Sequence, residues 1–120
     1  MGESIIRGLL EQYQVKFISQ HSFDDCVNVS KLRFDFYLPE YNTAIEYDGE
    51  GHFRPLDYAG NGDEWAQRNF ETTQKSDSIK NAYCNTHNID LIRIPYWERS
   101  RLGSLIPDIL IDLQQNHIHP

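Results

Sequence analysis

The twenty residues Arg33–His52, RFDFYLPEYNTAIEYDGEGH, decide how this chain is read. Together with Leu32 ahead of them, Phe34, Phe36 and Leu38 alternate with Arg33, Asp35 and Tyr37, the period of a strand with one apolar face. Pro39 to Asn42 is turn chemistry. From Thr43 to Asp48, Ile45 and Tyr47 oppose Ala44, Glu46 and Asp48, so the two runs are expected to form a hairpin. Asp35, Glu46 and Asp48 all fall on polar faces. Glu46 and Asp48 would lie side by side, and hairpin pairing could bring Asp35 opposite them. Carboxylates so placed repel one another unless a cation or protons come between them. Carboxylate oxygens are also the preferred ligands of Mg²⁺, so the hairpin is expected to be a metal platform.

Outward from the hairpin, Gly49 and Gly51 end the second strand and His52 follows, four residues beyond Asp48. A histidine in that company can ligate a metal or move a proton on a phosphodiester. Glu3 to Tyr13 carries Ile5, Ile6, Leu9, Leu10 and Tyr13 at helical spacing. Phe17 to Ser19 reads as a short strand and Asp24 to Ser30 as a polar turn. A Gly- and Asp-rich loop runs through Gly62, and a helix then extends to about His87 with Trp65, Phe70, Ile79 and Tyr83 as its apolar contacts. Asp90 to Ile94 (DLIRI) is a buried strand stopped by Pro95. A last helix covers roughly Gly103 to Gln115, with Leu105, Ile106, Ile109, Leu110 and Leu113 inward and Pro107 in its first turn or so, where proline is tolerated. The order α-β-β-β-α-β-α predicts an α/β (α+β) chain with a mixed central sheet flanked by helices.

With 120 residues, 39% apolar, the chain has material for one core. Its formal charge of −7 argues at first against a nucleic-acid partner. The distribution reverses that. Eight of the eighteen acidic residues and one basic residue, Arg54, lie between Asp35 and Glu64, which leaves ten of each sign elsewhere. No apolar run is long enough to span a bilayer, and Cys26 and Cys84 do not make a disulfide framework, so a reduced cytoplasmic setting is expected. Glu3, in the first turn of its helix, and Asp77, three residues before Lys80, can each be read as an ordinary helix feature or as part of the site.

An Asp on one strand of a hairpin followed by Glu46-Tyr47-Asp48 on the next resembles the PD-(D/E)XK nuclease superfamily, with Asp48 standing where its lysine would be and Phe34 in place of its proline. Gly2-Glu3 opening the first helix, RFDFYLP, IEYDGEGHF, DSIKNAYC and LIRIPY in that order resemble one branch more closely. That branch is the Vsr-like EDxHD homing endonuclease domain, similar to the very-short-patch repair endonuclease, and the likeness runs from Gly2 to about Tyr96.

That resemblance implies a restriction-endonuclease-like fold over residues 1–120 as a single nuclease catalytic domain, with Glu3, Asp35, His52 and Asp77 as its named residues. It implies Mg²⁺ or Mn²⁺ on Asp35, with help from the Tyr47 carbonyl and from Asp48 or Glu46, and hydrolysis of double-stranded DNA to a 5′-phosphate and a 3′-hydroxyl. His52 would be oriented by Asp77, and Glu3 would position a second metal or its water. Arg54, Lys75 and Lys80, with Arg93, Arg99 and Arg101, are the candidate phosphate contacts. The repair relatives hold a structural zinc, for which His21, Cys26, Cys84 and His87 are the only analogous set; core packing is the preferred reading of both cysteines. Core packing is also preferred to a wedging role for Trp65 and Trp97. A separate DNA-recognition region and a homo-oligomer are left open. The competing functions are a mismatch-directed nicking enzyme and a non-catalytic, nuclease-like DNA-binding module.

Overall fold

A computed structural model describes residues 2–57 and 60–118, with side chains through Asn116; Tyr58 and Ala59, inside the expected Gly- and Asp-rich loop, lie outside the described residues. The order is α1 (Gly2–Gln12), β1 (Ile18–Asn28), β2 (Ser30–Leu38), β3 (Thr43–Asp48), a 3-10 turn (Glu50–His52), α2 (Asp63–Thr86), β4 (Asp90–Pro95), a 3-10 stretch (Tyr96–Arg101) and α3 (Leu102–Ile118). It matches the predicted α-β-β-β-α-β-α order, and the fold is mixed α+β. The four strands lie in the order β1-β2-β3-β4. β1, β2 and β3 are antiparallel neighbours, while β3 and β4 run parallel from Thr43–Asp90 to Asp48–Pro95. A parallel pair needs a crossover, and α2 supplies it.

Two cores form on the two faces of the sheet. Ile6 and Leu10 of α1 and Leu102, Ile106, Leu110 and Leu113 of α3 cover Phe36, Leu38, Ile45 and Ile94. On the other face Cys84, Ile79 and Tyr83 of α2 pack with Phe23, Cys26, Phe34, Ala44 and Leu91. Ile45 and Ala44 part as strand alternation requires, but β2 does not keep one apolar face. Leu32 and Phe34 join the α2 core, whereas Phe36 and Leu38 join the α1–α3 core. The change of face falls at Asp35. Regular pairing of β2 with β3 stops at Phe36–Ile45, and Gln20, the β1 residue across from Asp35, has φ of 53°. A left-handed residue in a strand is the mark of a local break in the ladder.

Three more local expectations are corrected. The segment Asp24–Ser30 is the end of one long hairpin rather than a polar turn. Its reversal is carried by Val29, fully exposed with φ of 71° between the paired Asn28 and Ser30. Polar residues extend there because β2 supplies ladder partners, a tertiary effect that overrides local propensity. Pro107 is the sixth residue of α3, because the helix starts at Leu102 directly from the preceding 3-10 stretch. Trp97 is 58% exposed rather than packed in a core.

Phe34→Ala is expected to cost about 3–5 kcal/mol in chemical denaturation, the usual scale for emptying a buried aromatic site. Because the side chain packs with Cys26 and Cys84, thiol labelling of both should accelerate in the variant. Unchanged labelling would place Phe34 on the other face.

Candidate functional site

The site is built where β3 and β4 end, the end of a parallel pair at which loops gather and ligands bind in α/β sheets. Beyond Phe36–Ile45 the next residues to face each other are Asp35 and Glu46, and they replace ladder bonds with side-chain bonds. The Asp35 N–H donates to Glu46 Oε1 (3.3 Å), and the Tyr47 N–H donates to Asp35 Oδ2 (2.7 Å). Asp35, Glu46 and Asp48 are all buried, as the strand reading requires of residues that face the site rather than solvent.

Two of these crowded carboxylates meet cations carried by other elements of the chain. Lys80 Nζ lies 2.9 Å from Glu46 Oε1. Arg93 Nη1 donates to Asp48 Oδ1 (2.9 Å) and lies 3.5 Å from Asp77 Oδ1, while its Nη2 reaches the Asp77 carbonyl (3.4 Å) and its Nε the Asn81 side chain (2.9 Å). Two of the carboxylates are therefore neutralised by the protein's own cations. Lys80, expected among the phosphate contacts, is only 8% exposed and faces inward with its ammonium 5.2 Å from the Phe34 ring centre. Arg93 is likewise committed to this network. Of the remaining expected contacts, Lys75 is exposed, Arg54 pairs with Glu50, and Arg101 donates to Glu98 (2.6 Å).

Asp35 is left with Glu3. Burial, then the charge of Glu46, push the Asp35 pKa up to about 8, and the nearby Glu3 carboxyl adds to the rise. Neighbouring carboxyl groups are eased by a proton or a cation between them. Glu3 reaches this point because Gly2 lets the start of α1 sit on the Tyr47 ring. A Cβ at Gly2 would overlap that ring, whose hydroxyl donates to the Tyr96 carbonyl (3.4 Å). Gln20, from the break in β1, donates to Glu3 Oε2 (3.3 Å).

His52 is brought to Asp77 across the gap between the 3-10 turn and the middle of α2. Its Nδ1 lies 2.8 Å from Asp77 Oδ2 and 3.7 Å from Asp48 Oδ1. The Asp77 hydrogen bond raises the His52 pKa despite desolvation. Burial raises the pKa of Glu46 and of Asp48, against the pull of Lys80 on one and Arg93 on the other. Among the described residues no buried side-chain nitrogen or oxygen lacks a hydrogen-bond partner.

Of the four residues named by the resemblance, Glu3 lies near Asp35 and His52 is bonded to Asp77. No set of three or more His, Cys, Asp and Glu side chains among the described residues is arranged to hold a metal ion. The donor pair that suits a hard cation is Asp35 with Glu3, since Glu46 and Asp48 already have cationic partners. The four zinc candidates are used otherwise. Cys26 and Cys84 are buried free thiols with raised pKa values, His21 stacks on Tyr37, and His87 stacks on Tyr83 and bonds its carbonyl.

Sequence reasoning missed the roles of Lys80 and Arg93. The spacing Asp77, Lys80, Cys84 marks one helix face, and it was the available sign that Lys80 points inward. Beside the site, Phe53, Tyr96 and Trp97 form an exposed aromatic group, with ring centres 4.8 Å apart for Phe53–Trp97 and 5.3 Å for Tyr96–Trp97.

No protein-family model matches the chain, and no solved structure matches it closely. It is similar to the uncharacterized protein 307L of invertebrate iridescent virus 6, with 31% identity over 65 residues, 54% of this chain and 31% of that protein. The match therefore spans about a third of the viral relative's length.

Two expectations follow from the geometry. The raised Asp35 pKa means that the unfolded chain gives up this proton first as pH rises. The stabilisation is complete below the ordinary carboxylate range and is lost as pH climbs to about 8. Glu46, Asp48 and His52 are shifted in the same direction and add slope of the same sign. Thermal melts between pH 4 and 8.5 should show a shallower decline for Asp35→Asn than for the wild type, and equal slopes would refute the assignment. Gly2→Ala should cost about 1–3 kcal/mol in urea unfolding, since the Tyr47 ring has to move; a neutral result would count against the seat described for α1.

Proposed function

We propose that this chain is a metal-dependent DNA endonuclease domain, the catalytic module of a homing-type enzyme acting in the reduced cytoplasm. The observation that carries the reading is the buried Asp35 carboxyl with Glu3 close to it, together with the His52–Asp77 dyad, at one end of a parallel strand pair. In its charged form this carboxyl does nothing for stability, because burial without a cation raises the free energy of that form.

Asp35 and Glu3 would hold Mg²⁺ or Mn²⁺, with the Tyr47 carbonyl as a third donor. A cation bound there supplies charge neutralisation at the scissile phosphate and acidifies water. Tyr47 N–H keeps Asp35 Oδ2 aimed, which leaves the other carboxyl oxygen to the cation. Asp77 fixes Nδ1 of His52, so that Nε2 is the nitrogen that takes a proton from water or returns one to the leaving oxygen. Arg93 holds Asp77 in that task from the far side. Cation binding has to displace the proton of Asp35, so affinity should increase as pH rises toward 8. Lys75 and Arg54 remain as phosphate contacts on duplex DNA. The exposed group Phe53, Tyr96 and Trp97 favours a second reading, mismatch-directed nicking, in which an aromatic side chain stacks at the disturbed base step.

Cleavage of supercoiled plasmid with Mg²⁺ or Mn²⁺ tests the proposal. Asp35→Asn and His52→Ala should each lower the rate by roughly 10²–10⁴, the scale of a lost ligand or proton carrier. Wild-type cutting by both variants would sink the site, and no metal-dependent cutting by the wild type would leave a DNA-binding module. Preferential nicking of a T·G duplex over its homoduplex would select the second reading.

A further inference from the structure

Lys80 and Glu46 are a buried ion pair that the proposed chemistry does not use. Glu46 is 2% exposed and Lys80 8%. A lysine that binds a phosphate needs access, and a carboxylate that binds a metal needs a free oxygen facing the ion. Lys80 has neither exposure nor an outward course, because its position on α2 shares a face with Cys84 of the core. Glu46 Oε1 is taken twice, by the Lys80 ammonium at 2.9 Å and by the Asp35 N–H at 3.3 Å.

That second bond is the informative one. It closes a crossed exchange in which Glu46 receives the N–H of Asp35 and Asp35 receives the N–H of Tyr47. The exchange occurs where β2 leaves the β3 ladder and its side chains change face, between Phe34 in one core and Phe36 in the other. Without an acceptor, the Asp35 N–H would be a buried orphan, and the strand would lose the bond that sets the direction of the Asp35 side chain. An anionic Glu46 can stay buried in that role only beside a buried cation.

We propose that Lys80 and Glu46 form a clamp that positions Asp35, acting on its backbone and through it on the aim of its carboxyl, and that neither touches metal or DNA. Its value for catalysis rests on the nuclease reading above; the clamp itself does not. The Lys80 side chain enters from the helix, neutralises Glu46 and is held over the Phe34 ring.

Two double variants separate the clamp from its alternatives. Lys80→Met with Glu46→Gln leaves a neutral acceptor within reach of the Asp35 N–H and no orphan charge. Lys80→Met with Glu46→Leu leaves an apolar pair and no acceptor, a kind of replacement that folds tolerate. Amide hydrogen exchange read by NMR at Tyr47, whose N–H reports the aim of Asp35, should stay near wild type in the glutamine variant. In the leucine variant it should be about tenfold faster, the scale of one buried hydrogen bond, with Leu91 and Ile92 of β4 still protected. Mn²⁺ affinity should follow the same division.

Protection of Tyr47 in the leucine variant would overturn the clamp. Loss of Mn²⁺ affinity in the glutamine variant with Tyr47 protected would overturn it in favour of Glu46 as a ligand. In the unaltered protein the Lys80 ammonium protons should exchange slowly enough to be seen directly. Exchange as fast as that of exposed Lys75 refutes the clamp whatever the variants do. Should the wild type neither bind Mn²⁺ nor cut DNA, the nuclease reading fails, while Tyr47 and Lys80 still decide the clamp.

Discussion

The interruption of the β2–β3 ladder at Asp35 is the feature from which the geometry of the site follows. A regular hairpin would have paired Asp35 and Glu46 through their backbones and sent both side chains to one face. Here each side chain bonds to a backbone N–H of the opposite strand, directly across or one residue on. The strand rotates at that point, so Phe34 and Phe36 serve different cores two residues apart. Because those cores are the packing surfaces of α2 and of α1 with α3, the same break decides which helix reaches which side of Asp35. Glu3 arrives from one side and Lys80 from the other.

Electrostatics explains why so acidic a chain tolerates this arrangement. The excess negative charge lies between Asp35 and Glu64, yet its buried members are not a field of like charges. Glu46 and Asp48 are each paired with a cation carried by a different element, α2 for Lys80 and β4 for Arg93. Replacing one partner of such a pair leaves an uncompensated buried charge at a cost of about 3–5 kcal/mol, which is why the network holds together as a unit. Asp35 and Glu3 stand outside this compensation, and burial with the charge of Glu46 holds the Asp35 carboxyl well above the ordinary carboxylate range. Asp77 links His52 to the cation network. It takes His52 on one oxygen and lies near Arg93 on the other.

The position of the dyad depends on α2 as a crossover. Its 24 residues extend about 36 Å at 1.5 Å each, well past the six residues of β4. Asp77, just past the midpoint of the helix, comes level with the end of the parallel strands and the 3-10 turn that carries His52. The aromatic group Phe53, Tyr96 and Trp97 is built from the residues that leave these same two places, so it borders the site for reasons of chain path. Among the described residues no helix is long and apolar enough to cross a membrane.

The order of residues alone specified the element order, the hairpin, the parallel strand DLIRI and the outward residues of the site. Strand and helix periods follow from where apolar side chains recur, and Asp35 and His52 were legible as candidates from their types and order, whereas Glu3 and Asp77 came only with the family resemblance. It did not reveal how Glu46 and Asp48 are compensated, because a one-dimensional pattern shows like charges in a row and not the cations that meet them from elsewhere in the chain. Lys80 is 34 residues from Glu46 and Arg93 is 45 from Asp48; packing of distant elements is what brings them within 3 Å. Strict alternation likewise predicted a single apolar face for β2, since nothing local announces that the ladder ends at Phe36. The long β1–β2 hairpin, the exposure of Trp97 and the seat of Gly2 on Tyr47 belong to the same class. Each is set by a partner distant in sequence, and burial and hydrogen-bond satisfaction are decided only when the partner is in place.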